Sequence, residues 1–233
     1  MEPVTVWWAA LGDARPGLVA FLDPVERARR ERYLHDADRD RFTLGVVLSR
    51  MAAGARLGVP PEAVPLTRAC RDCGEPHGPP AVAGGPHLSV SHSGDRVAVA
   101  VSPYGPLGVD VEEDSGRIGE GVAAQLLAAG EPRADAAGLL AYWTRKEALL
   151  KVTGDGLRVP LTDVHVSAPH EPPRLLAWDG RPDLLGRIAM RTLDPGPGHA
   201  ACLALLDHPA GVPVEERPAA GPLRTLTTGA GRP

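Results

Sequence analysis

The chain has 233 residues, 43% hydrophobic and 23% charged, a globular composition with apolar material for one large domain or two small ones. Its formal net charge of −4 provides no global basic field to recruit nucleic acid or a membrane surface, so an anionic ligand has to be met by local cations. Apolar runs fall short of the roughly 20 residues of a spanning helix, no cleavable leader is recognisable, and Cys70, Cys73 and Cys202 make no disulfide framework; the expected address is the cytoplasm.

Val4 to Trp8 reads as an opening strand. Asp23-Pro24-Val25-Glu26 then supplies an N-cap, a proline at the first helical position and an acid at the third, which predicts a helix to about Tyr33 carrying Arg27, Arg29, Arg30 and Arg32. A second helix is expected from near Asp38 to Gly58, with Phe42, Val46 or Val47, and Met51 on its inner stripe. Arg68 to Pro86 reads as loop. Within it Cys70-Arg71-Asp72-Cys73 has zinc-like spacing, but no second cysteine pair follows, and His77 or His87 is left to complete a site. Leu88–His92 and Arg96–Val101, separated by Ser93-Gly94-Asp95, predict a hairpin.

Ser102-Pro103-Tyr104-Gly105-Pro106 punctuates the chain near its middle, and the theme repeats after it. A strand is expected at 107–112, helices within 117–152, and β-like runs around 162–167, 174–178, 186–193 and 200–206. Residues 208–233 are rich in Pro, Gly and Ala, and such a composition predicts a disordered tail. Two α+β halves are the simplest organisation, divided near residue 105.

The chemistry concentrates in the second half. In Gly108-Val109-Asp110-Val111-Glu112 a strand's alternation turns Leu107, Val109 and Val111 one way and the carboxylates of Asp110 and Glu112 the other, roughly 6.5 to 7 Å apart. Downstream, Leu140, Trp143, Glu147 and Leu150 follow the spacing of a buried helical stripe, which puts a carboxylate where an apolar residue is expected. A plain alternative is an intrahelical Glu147–Lys151 pair worth about 0.2 to 0.5 kcal/mol. Gly154-Asp155-Gly156 ends this helix in backbone able to approach a ligand closely. Three acids together point to a hard cation, and Mg²⁺ fits, since it is commonly held by one or two carboxylates with substrate phosphates.

These residues resemble the Sfp-type 4′-phosphopantetheinyl transferases. The resemblance spans roughly residues 20–206 and rests on Gly108-Val109-Asp110-Val111-Glu112 followed by Trp143-Thr144-Arg145-Lys146-Glu147-Ala148, Lys151 and Gly154-Asp155-Gly156-Leu157. Ser89-Val90-Ser91-His92-Ser93-Gly94 and Arg39-Asp40-Arg41-Phe42 add to it. It implies an α+β pseudo-dimer of two similar subdomains, each a small antiparallel sheet on a long helix, with the active site between them. Residues 1–105 would contact the adenosine and phosphates, and 106–207 would carry the acids and the catalytic helix. The implied reaction moves the phosphopantetheine arm of coenzyme A onto a serine of an apo acyl or peptidyl carrier protein, releasing adenosine 3′,5′-bisphosphate.

By the same resemblance, Asp110, Glu112 and Glu147 would hold Mg²⁺ and Glu147 would also accept the serine proton. Lys151 would stabilise or protonate the departing phosphate, and His92, with Ser91 beside it, would meet a phosphate. Arg41 and Arg29 would grip the adenosine phosphates. The implied enzyme is a cytoplasmic monomer with no nucleic-acid or membrane partner. The chain departs from the family at Gly78-Pro79-Pro80, which lacks a cation expected at coenzyme A, at Glu26, where some members have lysine, and in a short 113–141 segment that bears on acceptor choice. A Mg²⁺-dependent diphosphate hydrolase and a non-catalytic coenzyme A or carrier-binding module are the competing readings, though no Gly-x5-Glu-x7-Arg-Glu box supports the former.

Overall fold

The first helix begins where its capping signal lies. In the computed structural model, which describes residues 1–70, 72–116 and 120–229, the Glu26 amide donates to Asp23 and the Asp23 amide donates to Glu26, each at 2.8 Å, opening α1 (Pro24–Arg30). Glu26 also receives the buried Arg50 guanidinium at 2.8 Å, so this acid closes a helix cap and is not a variant phosphate contact. α2 (Asp36–Leu57) stops at Gly58 in the left-handed conformation, as the sequence signal predicts.

Strand β1 (Val4–Ala10) pairs antiparallel with β5 (Arg96–Ser102), whose other edge takes β4 (His87–Ser93) in the expected hairpin. Two short strands, β2 (Leu66–Thr67) and β3 (Ala81–Val82), pair at the base of the 68–86 loop. The second sheet has the order β6 (Leu107–Glu113), β10 (His199–Leu206), β9 (Ile188–Thr192), all antiparallel. β7 (Val164–Val166) and β8 (Leu175–Trp178) form a separate small hairpin. The expected helical stretch appears as α3 (Glu120–Leu126) and α4 (Ala136–Thr153); its part at 117–119 lies outside the described residues.

Period-two alternation builds the layers. Val97, Val99 and Val101 of β5 face a core with α2, while Ala98 and Ala100 join Val4, Val6, Val109, Val111, Leu203 and Leu205 in a core between the two sheets. Cys202 and Ala204 of β10 face a third core, with Leu149, Leu150 and Tyr142 of α4. The order is helix, sheet, sheet, helix, the mixed α+β architecture expected of two sheet-and-helix units. Among the described residues no helix is long and apolar enough to cross a membrane.

The segment expected to be a disordered tail is otherwise. β11 (Val214–Pro218) adds to the first sheet parallel to β1, with Val4 opposite Val214 and Trp8 opposite Pro218, and α5 (Ala220–Gly229) packs Leu223 into the α2 core. The open edge of β1 offers backbone partners that a composition argument does not count, and Trp8 adds an indole N–H to Glu216 at 2.8 Å. Residues 230–233 of the expected tail lie outside the described residues.

Candidate active site

β6 carries two acids into the molecule because its opposite face is apolar. Leu107, Val109 and Val111 fill the inter-sheet core, and the alternate positions turn toward α4. Close approach there requires Gly108: a Cβ at that position would sit 2.0 Å from the Ala148 carbonyl oxygen and 2.6 Å from the Val152 nitrogen. The strand therefore presses directly on the turn of α4 that bears Glu147 and Lys151.

On its free edge β6 meets β4 through side chains. The amides of Val109, Val111 and Glu113 donate to the hydroxyls of Ser89, Ser91 and Ser93 at 3.0, 3.3 and 3.1 Å. Three serines at alternate positions of one strand face the same way, so their hydroxyls stand in for the carbonyls of a ladder and join the two sheets. Two of these hydroxyls also donate onward, Ser91 to Asp110 Oδ1 at 2.9 Å and Ser93 to Glu112 Oε2 at 2.6 Å. Ser91, expected to touch the cofactor, has its hydroxyl committed within the protein.

Lys151 Nζ donates to Asp110 Oδ1 at 2.6 Å, to Ser91 Oγ at 2.9 Å and to the Val109 carbonyl at 3.1 Å. Its carboxylate partner is thus Asp110 across the strand–helix contact, and the intrahelical pair with Glu147 does not form. Burial raises the Asp110 pKa from its ordinary value despite Lys151, and burial followed by the Asp110 charge raises that of Glu147 to about 6. Glu112 is also raised, first by burial. Asp110 Oδ2 and Glu147 Oε1 are buried with no hydrogen-bond partner.

Unpartnered carboxylate oxygens lining one cleft are the kind of donor a divalent cation takes. Asp110, Glu112 and Glu147 do not, however, bring one oxygen each within 4.8 Å of one another; among the described residues that spacing is met by Cys70, Cys73 and His77. The other charged residues of this helix are structural. Lys146, fully buried, donates to Glu131 and the Leu126 carbonyl at 2.7 Å, and Arg145 grips the carbonyls of Ser167, Ala168, Pro169 and Glu171 at 2.7 to 3.0 Å. Together they fix the rotation of α4.

The acids line a cleft of about 560 Å³ whose other walls carry cations. Arg41 lies there, its Nε donating to the Gly94 carbonyl and its Nη1 to Asp38, both at 2.7 Å, and Arg29 stacks 5.3 Å from the Phe42 ring centre. The His92 imidazole is held below its usual range by desolvation, then by Lys151 and Arg41. All the expected site residues, Arg29, Arg41, Ser91, His92, Asp110, Glu112, Glu147 and Lys151, thus line one cleft, as do Pro79 and Pro80.

Sequence reasoning missed Arg68. It lines the same cleft, has an unpartnered Nε, and is pulled down to about 10 by burial and by Arg29. It follows the two-residue β2, with no pattern to set it apart from the other arginines.

A model of the 4′-phosphopantetheinyl transferase superfamily matches residues 106–192, from β6 through β9. The chain is 31% identical over 169 residues to the 4′-phosphopantetheinyl transferase HetI of Nostoc sp., covering 68% of this chain and 70% of that protein. It is 25% identical over 212 residues to the 4′-phosphopantetheinyl transferase Sfp of Bacillus subtilis, covering 82% and 86% respectively. A further Bacillus subtilis 4′-phosphopantetheinyl transferase is 26% identical over 207 residues, covering 76% of this chain and 90% of the relative.

Proposed function

Because this chain belongs to the 4′-phosphopantetheinyl transferase superfamily, in its Sfp-type branch, we propose that it transfers phosphopantetheine from coenzyme A to a serine of an apo acyl or peptidyl carrier protein. The serine oxygen bonds to the β-phosphorus of the coenzyme A diphosphate. The bond from that phosphorus to the bridging oxygen breaks, and adenosine 3′,5′-bisphosphate leaves with the electron pair. Negative charge grows on the diphosphate oxygens, so positioning and charge neutralisation carry the catalysis.

The observation that carries this reading is the pair of buried, unpartnered oxygens on Asp110 and Glu147, in a cleft walled by Arg29, Arg41, Arg68 and His92. Asp110, Glu112 and Glu147 would hold Mg²⁺, which when bound would neutralise diphosphate charge. Glu147 accepts the serine proton. Lys151, held beside Asp110, stabilises or protonates the departing phosphate. His92 donates to a phosphate oxygen, while Arg41, Arg29 and Arg68 hold the adenosine phosphates, a task suited to planar guanidinium groups. Ser91 is a positioning residue that orients Asp110 and Lys151.

In this reading residues 1–105 form the lobe that receives the nucleotide and 106–207 the lobe that bears the acids, and a single chain acts in the cytoplasm. The test is release of adenosine 3′,5′-bisphosphate from coenzyme A with and without an apo carrier protein. Release that requires both Mg²⁺ and the carrier supports transfer. Release without the carrier identifies a hydrolase, and binding without release identifies a non-catalytic module.

A further inference from the structure

The loop from Arg68 to Pro80 lends Arg68, His77, Gly78, Pro79 and Pro80 to one side of the cleft. Its side chains from Asp72 to Pro76 are exposed, so this stretch is held by polar contacts rather than by an apolar core. We propose that Cys70, Cys73 and His77 form a zinc site that pins this loop, separate from the acidic site.

The donors are assembled. One atom from each residue lies within 4.8 Å of the others, and Cys73 Sγ is 3.0 Å from His77 Nε2. All three cysteines of the chain are free thiols. The backbone turns tightly at Cys70: the Gly74 amide donates to the Cys70 carbonyl at 2.9 Å, and the Cys70 amide donates to the Glu75 carbonyl at 2.8 Å. The return is equally tight, because a Cβ on Gly78 would lie 2.5 Å from the Ala69 carbonyl oxygen.

Two sulfurs and an imidazole select zinc, which accepts S and N ligands in tetrahedral geometry, over Mg²⁺, which takes oxygen. The fourth position opens to solvent, since Cys73 and His77 are exposed. Of the two histidines able to complete the set, His77 does so, while His87 lies on β4. The loop touches both halves: Arg29 donates to the Pro76 carbonyl at 3.0 Å, Arg158 donates to Asp72 at 2.7 Å, and His77 itself borders the cleft.

The test uses the full chain, reduced and freed of metal with a chelator, then given zinc or cobalt and dialysed. The expected result is one zinc per chain by elemental analysis. Cobalt should show a thiolate charge-transfer band with the intense visible bands of tetrahedral coordination. Cys73→Ser and His77→Ala, checked for fold by circular dichroism, should each weaken binding at least tenfold, while Glu147→Gln keeps the stoichiometry. Zinc that is not retained by the reduced chain, a cobalt spectrum unchanged in Cys73→Ser, or recovery of Cys70 and Cys73 as a disulfide in freshly isolated protein would each overturn the proposal.

Discussion

Glu147 is surrounded by groups that oppose its ionisation: buried surroundings first, then the Asp110 charge, with Lys151 relieving this only in part because its ammonium is bound to Asp110. In the unfolded chain this glutamate titrates near 4.5, whereas folding keeps its proton until about 6. Between those values the folded state holds more protons than the unfolded one, so the contribution is present below pH 4.5 and is lost as pH rises through 6. Metal-free wild-type protein should therefore lose thermal stability across that window, and Glu147→Gln should lose less and melt higher. Thermal melts at stepped pH read this directly; a variant that melts lower than wild type at pH 7 would contradict it. Added Mg²⁺ should raise the wild-type melting temperature and leave Glu147→Gln nearly unmoved, since a ligand stabilises only the state that binds it.

At the scale of elements, the site depends on how closely β6 meets α4 and β4. Gly108→Ala drives a methyl group into the helix backbone, and overpacking with no flexible neighbour to yield should destabilise the protein by about 3 kcal/mol. Ser89→Ala is milder: it strips the buried Val109 amide of its acceptor at 3.0 Å and should cost about 1 to 3 kcal/mol, with a smaller effect on turnover than on stability. Denaturant unfolding with parallel rate measurements distinguishes the two. Much of this level was legible beforehand. The Asp23–Glu26 cap, the Gly58 stop, the hairpin around Ser93-Gly94-Asp95 and the alternation of β6 are local signals, and local signals survive folding. The partners of Lys151 and the serine seam were not legible. Asp110 is 41 residues away from Lys151 and Ser91 is 60 away, so only the packed halves bring them together.

At the scale of the molecule, the C-terminal segment had the composition of a free tail and is built into the fold. The signal was faint because β11 is short and mostly exposed, and its partner β1 lies some 200 residues earlier. Ala219 and Leu223 are nonetheless buried against the α2 core, and the Ala219 amide donates to the Trp8 carbonyl at 2.7 Å. A chain ending at Asp207 should melt well below the full chain or aggregate through the bared edge of β1; equal melting temperatures would show that the added strand contributes nothing.

The same two-sheet arrangement sets an acidic wall against a cationic one, and that opposition is the core of the proposed chemistry. The most direct measurement is the intact mass of an apo carrier protein after incubation with Mg²⁺, coenzyme A and either wild-type enzyme or Glu147→Gln. The expected result is addition of one phosphopantetheine by the wild type and a rate at least about 100-fold lower for the variant. Near-normal modification by Glu147→Gln, or none by the wild type across several carriers, would contradict it.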